Sequence, residues 1–170
     1  VCLSPELSGA QIKTLMEHLA AYAHPPKTEV IVQGNLEVMI TENCIPATAQ
    51  GCRSCNQSWA LKDKTNRIFR IRTDSDCRTR ILNSAEICLV EYVQELAAAG
   101  VSVLSIDARG RSPEYIRRMV SIYTRALEGE RAKDLKEEIR EIASGGVTAA
   151  HYLRGVSEDI ELPEKKSRKK

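Results

Sequence analysis

The sequence lacks the features that would place the protein in a membrane or a secretory pathway. No apolar run approaches the roughly 18 residues of a membrane span, and the opening residues, VCLSPELSGA, lack the basic start and apolar middle of a signal peptide. A strong charge of either sign is also missing, because 25 lysines and arginines oppose 23 aspartates and glutamates. We therefore expect a cytoplasmic protein without a membrane partner, in which any nucleic-acid contact is local.

The composition is that of a globular domain. Of 170 residues, 42% are hydrophobic and 28% charged, so the chain can bury a core of its own. Disordered and collagen-like classes are excluded, and no internal repeat is present. Six cysteines are present, but secreted disulfide frameworks belong to shorter, loop-rich chains with export signals. Clustered cysteines in a reducing compartment more often indicate a metal.

The first half of the chain predicts a helix followed by strands. The helix begins at Ser8, which forms a capping-box pattern with Gln11, and ends before the HPP at 24–26. Two extended segments follow, TEVIVQG and LEVMIT. The next segment, WALKDKTNRIFRIRT, has the pattern of a β-hairpin around a polar turn.

The second half continues the alternation of helix and strand. We expect a helix over SAEICLVEYVQELAAAG, opened by a second capping box of Asn83 and Glu86, and a buried strand over VSVLSID. Another helix starts at Ser112 and Pro113. Its predicted apolar face is formed by Ile116, Val120, Tyr123 and Leu127. A charged helix, AKDLKEEIREIAS, comes last. This order predicts the α/β class.

Four cysteines have the spacing of a metal site. The pattern is C-x7-C-x2-C-x21-C, and its members are Cys44, Cys52, Cys55 and Cys77. Thiolates suit both zinc and iron-sulfur clusters. Structural zinc sites usually show two close pairs, so the single close pair here favours a cluster. Unligated thiols are an alternative, as is a catalytic thiolate at Cys52, although neither His18 nor His24 completes a recognisable catalytic pattern.

The other two cysteines are not assigned to this site. Cys88 falls within a predicted helix, where a free cysteine packs as a small hydrophobic residue, so we expect it in the core. Cys2 has no assigned role.

The loop SIDARGRSPEY carries a second candidate site. Asp107 falls where the buried strand ends, the position that faces the active site in parallel α/β folds. Arg109 and Arg111 follow, and guanidinium groups match the geometry of carboxylates and phosphates. The loop is expected either to bind an anionic or polar substrate or to be ordered by a salt bridge. His151 and Arg154, in HYLRGV, are further candidate substrate-binding residues, although a lone histidine is more often structural.

Two basic segments could contact RNA. The stretch RIFRIRTDSDCRTR holds Arg67, Arg70, Arg72, Arg78 and Arg80. Alternating arginines on one face of a hairpin can bind phosphates, but such alternation is also typical of the solvated face of a half-buried strand. The tail EKKSRKK is expected to be disordered and solvated, with RNA contact as the alternative.

Taken together, these motifs resemble the peptidase U32 family of collagenase-like proteins. The resemblance rests on EVIVQG followed by MI and Cys44, on GCRSC with LKD and Cys77, on SIDARGRSPEYIRRMVSIYTRAL, and on TAAHYLRGV, which occur in the family's order over residues 7–156. It implies a (β/α)8 barrel and a [4Fe-4S] cluster on Cys44, Cys52, Cys55 and Cys77. Asp107 and Arg109 match the family's acid and arginine after the strand.

The resemblance also implies a class of reaction. Relatives include oxygen-independent hydroxylases that modify transfer RNA, ribosomal RNA or the ubiquinone ring, several with prephenate as oxygen donor. An iron-sulfur hydroxylase or RNA-modifying enzyme is the leading hypothesis. The alternatives are a U32 peptidase, for which the residues offer no protease site, and a non-catalytic zinc or cluster module that binds RNA.

The length of the chain limits the barrel that it can form. Eight βα units need about 200 residues or more, and this sequence predicts three or four. We expect residues 1–130 to be the C-terminal part of a barrel, with a cysteine-rich hairpin insertion at about 42–80. Residues 131–156 are expected to be a terminal helix and closing segment, and 157–170 the disordered tail. The sequence is then either a fragment, or a second chain supplies the N-terminal half of the barrel.

Overall fold

The computed structural model describes residues 1–54, 57–143 and 145–155, which form two β-sheets with helices packed against the first. The strands are β1 (Glu29–Gly34), β2 (Glu37–Thr41), β3 (Trp59–Lys62), β4 (Ile68–Thr73), β5 (Thr79–Leu82), β6 (Glu86–Cys88), β7 (Val103–Asp107) and β8 (Val147–Thr148). The helices are α1 (Gly9–Leu19), α2 (Ile45–Gln50), α3 (Val93–Ala98), α4 (Pro113–Leu127) and α5 (Ala132–Ile142).

The first sheet is mixed and has the order β7-β1-β6-β8. β1 is parallel to β7 but antiparallel to β6, and β8 is parallel to β6. Cys2 forms a parallel bridge to Glu29 at the start of β1. The segment at Cys2, β1 and β7 are therefore three successive parallel segments, with α1 between the first two and α3 before the third. This arrangement confirms the α/β class.

The second sheet is antiparallel and has the order β2-β5-β4-β3. The predicted hairpin is present as β3 and β4, joined by a polar turn at residues 63–67, but it is half of a larger sheet. Of the predicted cysteines, Cys44 and Cys52 lie between β2 and β3, and Cys77 lies between β4 and β5, all at one end of this sheet. The two strands of the hairpin contain no cysteine, so the structure does not show the predicted cysteine-rich hairpin.

The core lies on the helical side of the first sheet. Strand β1 contributes Val30 and Val32, while α4 packs against α3 and α5. The fully buried helical residues of this core include Leu96, Met119, Ile122, Leu135 and Ile139. Cys88 is also buried, as predicted.

Local sequence signals position the ends of two helices. The Ser8 hydroxyl accepts from the Gln11 N–H (3.2 Å) and the Gln11 side chain accepts from the Ser8 N–H (2.9 Å), which confirms the first capping box. The Ser112 hydroxyl accepts from the Tyr115 N–H, and Pro113 is the first residue of α4. α4 thus begins directly after the loop that carries Asp107.

The helix predicted over residues 84–100 is wrong in its first half. Residues Glu86–Cys88 form β6, a 3-10 turn follows at Val90–Tyr92, and only Val93–Ala98 is α-helical. The second capping box does not form. The Asn83 N–H instead donates to the Leu36 carbonyl, and the Glu86 N–H to that of Gly146. Tertiary pairing and the burial of Glu86 override the local helical pattern.

The predicted apolar face of α4 is offset from the observed one. Of the four predicted residues only Tyr123 is buried. Ile116, Val120 and Leu127 are 40%, 51% and 51% exposed, and the buried face is formed by Tyr115, Met119, Ile122, Tyr123 and Ala126.

The described residues do not form a barrel. β7 lies at the edge of the first sheet, and Val103 on it is 45% exposed rather than buried on both sides. Within the described part of the chain, no helix is both long enough and apolar enough to cross a membrane. The predicted disordered tail, residues 157–170, lies outside the described residues.

Candidate functional site

A cleft separates the two sheets at the carboxyl ends of β1 and β7. It contains a cavity of about 620 Å3. The wall from the first sheet includes Asn35, Asp107, Arg109 and Arg111, and the wall from the second sheet includes Trp59, Ile68, Arg70 and Arg72. A cavity of about 720 Å3 adjoins it and shares Asn35, Ile68, Arg70 and Arg111. Both volumes lie in the range of small-molecule binding clefts.

Asp107 and Arg109 form a two-pronged ion pair at the mouth of the cleft. Arg109 Nε and Nη2 donate to the two carboxylate oxygens of Asp107 at 2.8 and 2.7 Å, and the Arg109 N–H also donates to Asp107 (3.2 Å). These hydrogen bonds hold the pKa of Asp107 below its ordinary value, despite partial burial that raises it. The pair therefore orders the loop, one of the two roles expected from the sequence.

The loop is also tied to the second sheet. Arg72, on β4, donates from Nη2 to the Arg109 carbonyl. The left-handed backbone at Gly110 (φ 71°) lies next to the Arg72 guanidinium, where a Cβ would stand 3.5 Å from its Cζ. This contact bridges the cleft.

Arg111 points inward rather than to solvent. Its Nη2 donates to Glu86, the first residue of β6, and to Asn35, directly after β1. Its Cζ lies 4.7 Å from the centroid of the Tyr115 ring, within range of a cation-π contact. The Glu86 side chain is 1% exposed and that of Arg111 12%. A buried ion pair therefore underlies the cleft.

A chain of buried hydrogen bonds leads from Glu86 into the core. Tyr115 donates to Glu86 at 2.6 Å, and the Gln33 amide donates to Glu86 at 2.7 Å. The Tyr123 hydroxyl lies 2.7 Å from the Val32 carbonyl oxygen and 3.1 Å from Gln33 Oε1, so its single proton is shared between these two acceptors. Burial, followed by the neighbouring Glu86, raises the pKa of Tyr115 far above its ordinary value, so its hydroxyl stays a donor.

The sequence reasoning did not identify Glu86, Gln33 or Tyr115 as site residues. The sequence pattern predicts Glu86 in a helix cap, whereas the structure places it at the start of a strand. One signal was available, because Gln33 is the only polar side chain between Val30 and Gly34 in a buried strand. A buried amide needs partners from elsewhere in the fold.

The structure does not bring His151 or Arg154 to the cleft. Both are exposed, in the turn after β8, and neither lines any of the described cavities. The turn instead packs against α1, where the Gly9 N–H donates to the Tyr152 carbonyl (2.7 Å). Their assignment to substrate binding stays a prediction.

The five arginines of residues 67–80 divide into two groups. Arg78 pairs with Asp74 and Asp76, and Arg80 pairs with Glu37 and Asp74. Arg67, Arg70 and Arg72 form no ion pair with a described residue and line the cleft. The register places Arg70, Arg72 and Arg80 on one face of the sheet.

Hydrogen bonds tie together the segments that hold Cys44, Cys52 and Cys77. Thr79, at the start of β5, donates to the Asn43 carbonyl (2.7 Å) and accepts from the Ile45 N–H (3.1 Å), which ties the segment around Cys44 to the strand that follows Cys77. The Ser54 hydroxyl donates to the Pro46 carbonyl (2.9 Å). The loop that holds Cys52 is thus tied to the helix that follows Cys44.

The chemistry of these residues fits a soft metal or cluster. Cys44, Cys52 and Cys77 are free thiols with exposed or half-exposed side chains. In the described ranges, no group of three or more histidine, cysteine, aspartate or glutamate side chains converges as a metal site. Cys55 lies outside those ranges, so the four-cysteine site stays a prediction.

Comparison with known proteins identifies relatives of the chain. It is 24% identical to a protein named collagenase from Porphyromonas gingivalis over 144 residues, 75% of this chain and 34% of the relative. It is 23% identical to a protein named as an uncharacterized protease from Methanocaldococcus jannaschii, over 94% of this chain and 42% of the relative. The chain thus spans less than half the length of these relatives. No solved structure matches it significantly. The sequence profile of Peptidase family U32 matches residues 1–161, and the chain therefore belongs to that family.

Proposed function

We propose that the chain is part of a U32-type iron-sulfur enzyme, an oxygen-independent hydroxylase that acts on transfer RNA, ribosomal RNA or another heterocyclic substrate. One observation carries this proposal. Pro46 follows Cys44 by two residues, Gln57 follows Cys55 by two, and both line the cavity that Asp107 and Arg109 line from the other side. The end of the second sheet at which we predict the cluster and the loop of residues 107–111 therefore border one cleft.

Cys44, Cys52, Cys55 and Cys77 would hold a [4Fe-4S] cluster, with zinc as the alternative metal. Such a cluster supplies one-electron chemistry, or a site to activate the oxygen donor if one iron is open. The residues of this chain would bind and orient the substrate. Arg67, Arg70 and Arg72 supply positive charge, and Trp59 and Ile68 supply an apolar wall.

The remainder of a (β/α)8 barrel would come from outside the described residues. The repeating unit of that fold is a parallel strand followed by a helix, and the segment at Cys2, β1 and β7 are parallel as this unit requires. β7 is a sheet edge with half-exposed residues, where a further parallel strand could pair. We propose that either the rest of a longer protein or a second chain supplies that strand.

Anaerobic purification tests the cluster. A brown protein with iron and sulfide in equal amounts is expected, and the colour should be lost in Cys52→Ser and Cys55→Ser. Cys2→Ser is the matched control, since Cys2 is exposed and lies outside the predicted site. A colourless protein with one tightly bound zinc would contradict the cluster and favour the non-catalytic RNA-binding module.

Nucleoside mass spectrometry tests the RNA substrate. RNA from cells without the gene should lack a hydroxylated nucleoside that returns with the wild-type gene but not with Cys52→Ser. If the nucleosides are the same with and without the gene, and the purified protein holds an intact cluster, the substrate is not RNA.

Peptide hydrolysis is the second candidate function, favoured by the names of the two relatives. All three histidines of the chain are exposed, and none lines a described cavity. A His-dependent protease site would therefore need residues from elsewhere. Peptidase activity that survives Cys52→Ser and Cys55→Ser would favour this candidate.

A further inference from the structure

Arg70 and Arg111 line the cleft from opposite walls. A third cavity, of about 430 Å3, adjoins the two already described at the start of α4. Arg70 and Arg111 are the residues that line all three of these cavities. Arg70 lies on β4 of the second sheet, and Arg111 follows β7 of the first. A ligand in any of the three cavities therefore borders both residues.

Arg111 is held rigidly but keeps free donors. Glu86 and Asn35 both accept from its Nη2, and the Tyr115 ring lies against its face. Its Nε and Nη1 donate to no atom of the described residues. Every fully buried side-chain nitrogen and oxygen of the described residues has a hydrogen-bond partner, so these two unpartnered nitrogens are not fully buried. These two groups are therefore reachable from the cleft. Because Nη2 is engaged by Glu86 and Asn35, a ligand oxygen would accept a single hydrogen bond from Nη1 or from Nε rather than a two-pronged pair.

Arg70 supplies a cation that no described residue neutralises. Its side chain is exposed and forms no hydrogen bond or ion pair with a described residue. The nearby carboxylates are already engaged, Asp107 by Arg109 and Glu86 by Arg111. Arg67 adds a further positive charge in the second cavity. The cleft thus carries an excess of positive charge that faces solvent.

We propose that Arg70 and Arg111 bind an oxyanion, a carboxylate or phosphate group of the ligand, between the two sheets. The rest of the ligand lies against Ile68, which is 49% exposed and lines the two larger cavities. The reaction itself is that of the proposed function, on which this inference rests. The inference adds the chemical class of the substrate. The oxyanion could belong to a small metabolite or to a nucleic-acid backbone.

Titration calorimetry at low salt tests the site with three probes: inorganic phosphate, succinate and a short single-stranded RNA. At least one probe should bind, and Arg70→Gln should weaken its binding about 10- to 100-fold, as expected for loss of a charged hydrogen bond. Arg70→Lys should recover part of the loss, because it keeps the charge but not the fork. Arg131→Gln is the matched control. It removes the same charge from an exposed arginine that lines no described cavity.

The pattern of probes distinguishes the source of the oxyanion. Binding of phosphate or succinate would identify a small ligand, whereas binding of RNA alone would identify a backbone phosphate. Either result supports the site if Arg70→Gln weakens it. No binding by any probe, or equal weakening by Arg70→Gln and Arg131→Gln, would overturn the proposal.

The same measurements on Cys52→Ser separate this inference from the proposed function. Oxyanion binding that persists without a cluster supports the site whatever the reaction. A protein with an intact cluster and no oxyanion binding would overturn the site alone. A protein with oxyanion binding but no cluster at any stage would contradict only the proposed function.

Discussion

The Tyr115 hydroxyl donates a 2.6 Å hydrogen bond to the Glu86 carboxylate, and both side chains are buried. Glu86 accepts in addition from Arg111 and from Gln33. A buried carboxylate is tolerated only when such donors replace its lost hydration. The network joins β1, β6, the loop after β7 and α4, so it fixes the floor of the cleft to the core.

Glu86→Gln should destabilise the fold strongly. The substitution removes the negative charge next to Arg111 and leaves that cation uncompensated in a buried site. Removal of one partner from a buried ion pair typically costs about 3–5 kcal/mol. The measurement is the free energy of unfolding by urea denaturation.

Glu137→Gln is the matched control for this substitution. Glu137 pairs with Arg140 on the exposed side of α5, where both side chains are about half exposed. Its loss should change the free energy of unfolding by no more than about 0.5 kcal/mol. Equal effects of the two substitutions would show that the Glu86 pair is not a central element of the fold.

Gly34→Ala should be among the most damaging small substitutions. Gly34 has φ 129°, and a Cβ there would clash with the Asp107 carbonyl oxygen and stand 2.9 Å from the Asp107 Cβ. Backbone strain alone costs about 1–3 kcal/mol, and separation of β1 from β7 would add to it. The clash should also displace Asp107. Thermal unfolding should show a large loss of stability.

Gly129→Ala separates the two contributions. Gly129 also has a positive φ, 91°, but nothing lies within 4 Å of the position of its Cβ. Its substitution should therefore report backbone strain without the clash. If Gly34→Ala costs no more than Gly129→Ala, the close approach of β1 and β7 does not constrain this glycine.

Local signals predicted most elements of the fold, because they are encoded within a few residues. The Ser8 capping box, the Pro113 start of α4 and the apolar run of β7 act over short distances, and each was found where the sequence placed it. The segment at Glu86 was misassigned for the opposite reason. Its conformation depends on Gln33 and Arg111, which are 53 and 25 residues away.

Only the wall of the cleft that the first sheet supplies could be predicted from the sequence. Asp107, Arg109 and Arg111 follow a recognisable apolar strand, so their place at its carboxyl end could be expected. The opposite wall is Arg70 and Ile68 on the second sheet, and nothing in a hairpin pattern indicates which element it will face. The division of the five arginines into paired and unpaired also depends on Glu37 and Asp74 in three dimensions.

Asp107→Asn should change the dependence of stability on pH. The Arg109 guanidinium lowers the pKa of Asp107 in the folded state, so ionised Asp107 stabilises the fold above its ordinary pKa of about 4. This contribution is lost as the pH falls through the lowered folded-state pKa. Wild type should be more stable than the variant at neutral pH, and the difference should shrink in acid.

Arg109→Gln is the background in which to repeat that comparison. Because Arg109 is the main cause of the lowered pKa, Asp107→Asn should have a smaller effect on the pH profile once the guanidinium is gone. Unfolding curves from neutral pH down to pH ~3 provide the measurement. A pH-independent difference between wild type and Asp107→Asn would contradict the ion pair as its source.

Cys77 has an unfavourable backbone conformation for its residue type. It has φ 61° in the turn between β4 and β5, where its N–H donates to the Asp74 carbonyl (3.1 Å). The left-handed region costs a residue with a Cβ about 1–2 kcal/mol, and glycine avoids this cost. A cysteine retained in such a turn is consistent with a role for its sulfur, since strained residues cluster at functional sites.

Cys77→Gly should therefore be more stable than Cys77→Ala by about 1 kcal/mol. Both variants remove the thiol, so the comparison isolates the backbone effect, and both should lack the proposed iron or zinc. The measurements are urea denaturation and metal content after anaerobic purification. Retention of metal in both variants would remove Cys77 from the ligand set, and equal stability would show that the turn does not require the left-handed conformation. A stable Cys77→Gly protein without metal would separate the two roles of this position, because the fold would favour glycine where the metal site requires cysteine.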